Sequence, residues 1–522
     1  MKKHSFSSIT ITGLILILFI SSISLAQPNI TSSIVKIYTV YNKHSYYRPW
    51  QMMGQESLSG SGCIIGGNRI LTNAHVVADA MFIQVKRAGM AKKYTAEVEI
   101  VAHECDLAIL RVKDKSFFDG AMPIEIGELP EVGDTVATFG FPEGGEELAF
   151  TEGVVSRVEH QSYSHSEANL LCCQIDAAIN PGSSGGPVIM EGKIIGVAFQ
   201  GGYGENIGYM VSVPVINHFL EDVKDGKYGG IPSLGASWQK IENPDMRLYY
   251  KMREEHTGVL LNKIYPGSPA KGILRPEDIV LSVEGVDVAN DGTIRFRENE
   301  RTFFGYVIQN KFIGETAEFE VLREGKVLKE KIKLTIPTNF CRLVPPEQYD
   351  EVPRYYIAGG LVFQPLSASY LNVRLGDDEY ESDFFFNLYT YLETGEPTED
   401  RREVIVLASV LADEINVGYH DLKDIVISHV NGKKVSTMED LVAAVEGNKG
   451  AFHVFVDERG KEIVLDKKKM DARNEIIVKR RRRSRGSRMK RRIDKGIASQ
   501  HSTFQGCEIN LTLLFNSRED EG

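Results

Sequence analysis

The chain has 522 residues, room for three or four domains at about 150 residues each. Apolar residues make up 42%, charged residues 25% and aromatics 9%, globular proportions that exclude wholesale disorder, a collagen-like fibre and a polytopic membrane protein. The formal charge of −11 conceals an asymmetry, because ten of the fourteen residues from Lys479 to Arg492 are Lys or Arg. The rest of the chain holds 50 basic against 71 acidic groups.

At the N-terminus, Lys2 and Lys3 precede an apolar stretch from Ile9 to Ile20, followed by the small-residue setting of Ser24-Leu25-Ala26. This order reads as a secretory signal peptide over residues 1–26, cut after Ala26. The stretch is shorter than the ~20 apolar residues that span a bilayer; an uncleaved signal anchor is the rival reading. The mature protein is expected to be exported, most simply to a periplasm, with no stable membrane span once the leader is gone. Cys63, Cys105, Cys172 and Cys173 lie in strand-like apolar runs, and Cys341 and Cys507 in linker or tail. No zinc spacing is present, so buried free thiols are expected, and neither metal nor cofactor is.

Residues 31–225 alternate short β-rich runs with Gly, Pro and Asn turns, starting at Ile34–Val40 and continuing through Cys63–Ile65, Arg69–Thr72, Phe82–Lys86, Glu97–Val101 and Leu107–Val112. Thr135–Phe139, Gly153–Glu159, Leu170–Asp176 and Ile194–Phe199 follow. Strands at this spacing predict an all-β barrel or sandwich. Three pieces in this segment belong together chemically. Thr72-Asn73-Ala74-His75 ends a strand on a histidine, Cys105-Asp106-Leu107 puts a carboxylate at a strand head, and Pro181-Gly182-Ser183-Ser184-Gly185-Gly186 sets a serine among glycines. Acyl transfer requires a hydroxyl, an imidazole base and a carboxylate that fixes the imidazole tautomer. Glycines beside the serine let backbone N–H groups approach a developing oxyanion. The order His, Asp, Ser, spaced by 31 and 78 residues, is that of a chymotrypsin-type double barrel.

These motifs resemble the protease domain of the Deg/HtrA family, with its T-N-A-H-V-V, D-L-A-[IL]-L and G-N-S-G-G-[PA] marks. The resemblance implies Ser184 as nucleophile, His75 as general base, Asp106 as orienting carboxylate, and the Gly182 and Ser184 amides as oxyanion hole. Ser183 stands where the family usually has Asn. Ile179 falls at a position that lines the family's specificity pocket, and no acidic residue accompanies it, so small or medium aliphatic P1 residues are expected. The Tyr41–Gly60 connection, with Tyr46, Tyr47 and Trp50, is long for a hairpin; the family uses it in regulation or assembly, and an aromatic-anchored solvent loop is the plainer alternative.

Pro214–Asp225 reads as a helix leading out of this segment. Beyond it an internal repeat appears: the Asp278–Val288 stretch recurs at Asp424–Val435, 146 residues on. Each copy follows a strand, Gly258–Ile264 or Val404–Val410, and the second precedes a helical pattern over Thr437–Val445. The pattern resembles PDZ domains, placed at 230–340 and 355–470 with Val344–Pro353 as linker. PDZ domains add an extended peptide to a sheet edge and hold its carboxylate in a backbone nest. The candidate nests are Leu234-Gly235-Ala236 and Gly359-Gly360-Leu361, the second unit being interrupted by an acidic, aromatic insert at Gly376–Phe386. Pro232-Ser233-Leu234-Gly235 and Trp238-Gln239-Lys240 resemble a plant and bacterial Deg subgroup with two PDZ-like domains.

The expected fold is therefore mainly β: a chymotrypsin-like double barrel followed by two PDZ-like α+β domains. The expected function is ATP-independent endopeptidase action on unfolded or damaged exported proteins; the alternative is a peptide-binding chaperone with secondary protease activity. The resemblance implies a homo-oligomer, a trimer or a multiple of trimers. The basic run opens a tail, 479–522, read as solvated and disordered. A tether to anionic surfaces and an atypical, frame-shifted terminus are the alternatives, and nucleic acid is not an expected partner.

Overall fold

The structure, a computed structural model, describes residues 30–201, 207–375 and 383–483. The leader, Cys507 and the basic tail beyond Arg483 lie outside the described residues. Twelve strands form two closed barrels. The first comprises β1 (Ile34–Tyr41), β2 (Glu56–Ile65), β3 (Arg69–Thr72), β4 (Ala80–Arg87), β5 (Tyr94–Ala102) and β6 (Leu107–Val112), closed in the order β1-β2-β3-β6-β5-β4. The second comprises β7 (Thr135–Gly140), β8 (Ala149–Ser162), β9 (Asn169–Ile175), β10 (Pro187–Met190), β11 (Lys193–Gly201) and β12 (Gly208–Ser212), closed as β10-β11-β12-β9-β8-β7. Val35, Ile37, Ile64, Ile70 and Leu110 fill the first barrel, while Val155, Leu171, Ile175, Val197 and Val211 fill the second.

β2 begins seven residues before the apolar run that signalled it. Its first part, Glu56–Gly62, is Ser/Gly-rich and shows no alternation, yet it pairs with β1 residue by residue from Tyr41↔Glu56 to Ile34↔Cys63. The small residues make room for Val76 of the same barrel and for the Ser184 loop of its neighbour. A Cβ on Gly60 would lie 2.6 Å from Val76 Cγ1 and 3.3 Å from the Ser184 carbonyl oxygen. Cys63, Cys105, Cys172 and Cys173 are buried and free, and burial pushes the Cys63 thiol up to about 12.

Helix α1 (Val213–Asp222) starts with Pro214 in its first turn, where the missing N–H costs nothing, and ends in a short 3₁₀ turn at Val223–Asp225. Two sheet units follow. Strands Ala236–Lys240, Val259–Ile264, Ile279–Val283, Thr316–Arg323 and Lys326–Lys333 lie in that order across the first. Strands Leu361–Pro365, Ile405–Val410, Ile425–Val430, Phe452–Asp457 and Glu462–Asp466 repeat the order in the second. The repeated D-I-V stretch supplies the central strand of each. Its leading aspartates are buried, Asp278 against Arg323 at 2.7 Å and Asp424 against Arg374. The second unit adds one strand, Tyr356–Ala358, which pairs antiparallel with Leu361–Pro365 at its outer edge. Thr437 caps the helix Met438–Glu446 through a capping box with Asp440. Helix Ala368–Leu375 precedes the insert, and helix Asp383–Thr394 begins within it; residues 376–382 lie outside the described residues.

Two connections differ from expectation. The Tyr41–Gly60 loop is neither solvent-borne nor loose, because Tyr46 is 6% exposed and packs with Leu343, Leu366, Tyr370 and Leu388 of the linker and second unit. Trp50 packs against Val362, Leu411 and Ile477. The first residues of the basic run are helical, since Lys467–Arg483 forms one helix. Met470 and Ile477 of that helix are buried, and Asn474, on the same side at i+4 from Met470, accepts a hydrogen bond from the Gly359 N–H at 2.9 Å.

Candidate active site

Asp106 follows a 3₁₀ turn, His103–Cys105, in a left-handed conformation at φ 53°. Its carboxylate is fully buried. One oxygen accepts the backbone N–H of His75 at 2.9 Å, and the other lies 2.8 Å from His75 Nδ1. Asn73 Nδ2 donates to the Asp106 carbonyl at 2.8 Å, so three hydrogen bonds tie the strand end carrying the histidine to the turn carrying the aspartate. With Nδ1–H spent on Asp106, the neutral imidazole presents Nε2 as its free base. Burial alone would push the Asp106 carboxyl up, but the charge and hydrogen bonds of His75 outweigh it and hold the carboxyl below its usual range. Burial likewise works to lower His75, and Asp106 outweighs it and raises the imidazole.

Ser184 lies on the connection between β9 and β10. Its carbonyl accepts the Ser61 N–H of β2 at 2.8 Å, and Gly185 N–H donates to Ala198 of β11 at 2.8 Å. A Cβ at Gly185, where φ is +84°, would lie 2.1 Å from the Ser61 carbonyl. Only glycine fits there. Among the described residues no hydrogen bond joins His75 to Ser184.

The amides around Ser184 have defined directions. Glu143 N–H donates to the Pro181 carbonyl at 2.5 Å, and Gly186 N–H to the Ser183 carbonyl at 2.9 Å. The N–H and C=O of a trans peptide point opposite ways, so the Gly182 and Ser184 N–H groups point away from those contacts. Neither donates a hydrogen bond among the described residues. Ser61 Oγ donates to the Gly182 carbonyl at 2.7 Å and accepts the Phe141 N–H at 2.9 Å, fixing the next peptide as well. Ser183 is buried, its N–H bonded to the Asn180 carbonyl at 2.9 Å. Ile179 is half-buried, and a Cβ on Gly208 of β12 would lie 2.7 Å from its Cδ1.

The two candidate nests part company. Leu234 is buried and Gly235 takes φ +65°, its N–H on Ser233 Oγ at 3.2 Å and its carbonyl accepting Tyr265 N–H at 3.0 Å. Ala236 then opens strand Ala236–Lys240, which pairs on one side only among the described residues. Gly359-Gly360-Leu361, the second expected nest, lies in a hairpin turn. Gly359 and Gly360, at φ 59° and 88°, turn a two-residue hairpin that pairs Ala358 with Leu361. Asn474 accepts the Gly359 N–H, Asn416 Nδ2 donates to the Gly359 carbonyl at 2.8 Å, and Leu411 N–H donates to the Gly360 carbonyl at 2.7 Å. Strand Tyr356–Ala358 occupies the edge a peptide would join, whereas strand Ala236–Lys240 keeps its outer edge unpaired among the described residues.

Four residues near the site carried no sequence signal. Glu104, two residues before Asp106, accepts Tyr228 OH at 3.0 Å and Ile231 N–H at 2.7 Å on one oxygen. Its other oxygen takes Thr338 N–H at 2.8 Å and Thr338 Oγ1. The carboxylate therefore knots the two segments that enter and leave the first sheet unit to the turn of Asp106. Glu104→Ala leaves these donors unpaired at about 1–3 kcal/mol each where buried; a clear drop in the Tm of the barrels is expected in a calorimetric scan. His103 lies 2.9 Å from both His165 Nε2 and Asp350 Oδ2, and His165 stacks on Tyr349 with its ring 5.9 Å from that of His75. Burial drives His165 down to about 3, so it stays neutral and adds no competing charge beside a protonated His75. The fourth, Lys36 of β1, is buried.

The paired barrels, with residues 60–197 matching the trypsin-like peptidase domain family, make this a chymotrypsin-type serine endopeptidase. Residues 344–485 match the PDZ domain family. The chain is 42% identical to Protease Do-like 4, mitochondrial, of Arabidopsis thaliana, over 81% of its own length and 79% of that protein's. It is 41% identical to Putative protease Do-like 3, mitochondrial (80% and 72% covered), and 36% identical to Protease Do-like 2, chloroplastic (86% and 73% covered), both also from Arabidopsis thaliana. The chain belongs to the Deg/HtrA family of Do-like serine proteases.

Proposed function

We propose that this protease hydrolyses peptide bonds in unfolded or damaged exported proteins through an acyl-enzyme on Ser184. The observation that carries the reading is the buried Asp106 carboxylate bonded to His75, together with a serine loop whose Gly182 and Ser184 amides are unspent. Ser184 Oγ attacks the scissile carbonyl while His75 Nε2 takes its proton; Asp106 stabilises the imidazolium that results. The two amides receive the oxyanion. His75 returns the proton to the leaving amine, and water then releases the acyl group by the same steps. Ile179 against Gly208 favours small or medium aliphatic P1 side chains.

The first sheet unit, roughly 230–340, serves as a PDZ module whose Leu234-Gly235-Ala236 loop and open strand edge take a peptide C-terminus. The second, 355–470, serves as a packing module, since its own strand fills that edge. The assembly is a trimer or a multiple of trimers. Residues 1–26 act as a secretory leader. Their continuous apolar core, with Lys only at the extreme N-terminus, differs from an Arg-rich amphipathic transit peptide, although the relatives named above carry mitochondrial and chloroplastic names. Among the described residues no helix is long and apolar enough to cross a membrane.

Incubating the protein with casein and with a stably folded protein, without ATP, tests this reading. Casein should be cut, chiefly after aliphatic residues, and the folded protein spared. Equal cutting of both, or cleavage dominated by Lys and Arg, would contradict it.

A further inference from the structure

Lys36 of β1 is only 1% exposed, and the chemistry above makes no use of its ammonium. All three of its donors are engaged across the barrel junction. They reach the Gly144 carbonyl at 2.7 Å, the Gly145 carbonyl at 3.0 Å and Glu146 Oε1 at 2.9 Å. These acceptors lie in the connection that follows β7. The same connection presses on the Pro181–Gly182 peptide. Glu143 N–H holds the Pro181 carbonyl at 2.5 Å. A Cβ on Gly182 would lie 2.5 Å from the Phe141 carbonyl oxygen, 3.2 Å from Glu143 N and 3.3 Å from Gly144 N.

Whatever places Glu143 N–H therefore decides which way Gly182 N–H points, because the two ends of one trans peptide are opposed. Glu143 itself sits at φ 53°, a conformation that a non-glycine residue adopts only when its surroundings hold it there. We propose that Lys36 is a positioning residue for the oxyanion hole: it clamps the 144–146 connection so that Glu143 grips Pro181 and Gly182 N–H faces the reacting carbonyl. The inference rests on Ser184 being the nucleophile.

Glu146 extends the clamp by accepting Tyr38 OH at 3.0 Å and Lys86. The first barrel, which carries the base, thus holds the part of the second barrel that receives the negative charge. A lysine suits the task because its compact ammonium serves three acceptors on one side. Methionine of similar length serves none, and the planar arginine fork does not match the same three positions.

The test compares wild type, Lys36→Met and Glu146→Gln on a peptide substrate, with a peptide boronate as oxyanion mimic and a product peptide as ground-state ligand. Loss of an oxyanion donor typically costs about 10²–10³ in kcat. Lys36→Met should lose kcat on that scale with KM held within about twofold, and boronate affinity should fall in parallel while product affinity does not. Glu146→Gln keeps both carbonyl contacts and should lose much less. A Lys36→Met protein with wild-type kcat and boronate affinity, or one whose loss falls on KM, would overturn the proposal. If Lys36→Met does not fold, Lys36→Arg carries the same comparison: a kcat-only loss supports the clamp and wild-type kcat refutes it. A wild-type protein that neither cleaves nor binds the boronate would instead remove the nucleophile reading beneath it.

Discussion

Ser184→Ala should reduce hydrolysis of an unfolded substrate by about 10⁶ in kcat while leaving the protein folded. The substitution removes one oxygen at a position where the fold is held by backbone, through the Ser184 carbonyl to Ser61 and Gly185 N–H to Ala198. No hydrogen bond of the Ser184 side chain is lost among the described residues. Circular dichroism and Tm should match the wild type, and gel assays should show intact casein. Hydrolysis within tenfold of wild type would mean that another group performs the attack.

Asp106→Asn should lower kcat by about 10⁴, with a change of pH profile that a merely damaged fold would not produce. In the wild type His75 must be neutral to accept the serine proton, and Asp106 holds its pKa above the ordinary value. The kcat/KM should therefore rise with pH through a midpoint above about 6.5, the unperturbed imidazole value. The asparagine removes the charge that raises His75, while burial, which lowers it, remains. The midpoint of the residual activity should thus move to lower pH. A variant that keeps the wild-type midpoint would show that the limb belongs to a different group. His165, driven well below the assay range by burial, is no rival for it.

The elements legible in the sequence are those whose signals are local. The strand ending on Thr72-Asn73-Ala74-His75, the turn before Asp106 and the glycines around Ser184 each announce themselves within a few residues. The repeated D-I-V stretch is legible because a buried aspartate at the head of a central strand is needed in both units. β2 is harder to read, since Val76 and the Ser184 loop leave no room beyond a glycine at position 60 and Ser61 bonds that loop, which erases the apolar alternation of the strand.

Gly359-Gly360 could be read as a nest or as a hairpin turn. Two glycines between short β-rich runs favour the turn, and the pairing of Ala358 with Leu361 forms it. Glu104, His103, His165 and Lys36 stayed silent for a different reason. The donors to the Glu104 carboxylate come from 124 to 234 residues away in the chain, and Lys36 meets acceptors 108 to 110 residues on. No window along the sequence contains those pairs; only the closed barrels and the linkers folded behind them do.

The most direct test of the central assignment is labelling with a fluorophosphonate, which reacts only with a serine whose proton has a base to receive it. Peptide mapping by mass spectrometry should place one adduct on Ser184 in the wild-type protein. Labelling should be lost in His75→Ala and sharply slowed in Asp106→Asn. An adduct on another residue, or Ser184 labelling at wild-type rate without His75, would contradict the account.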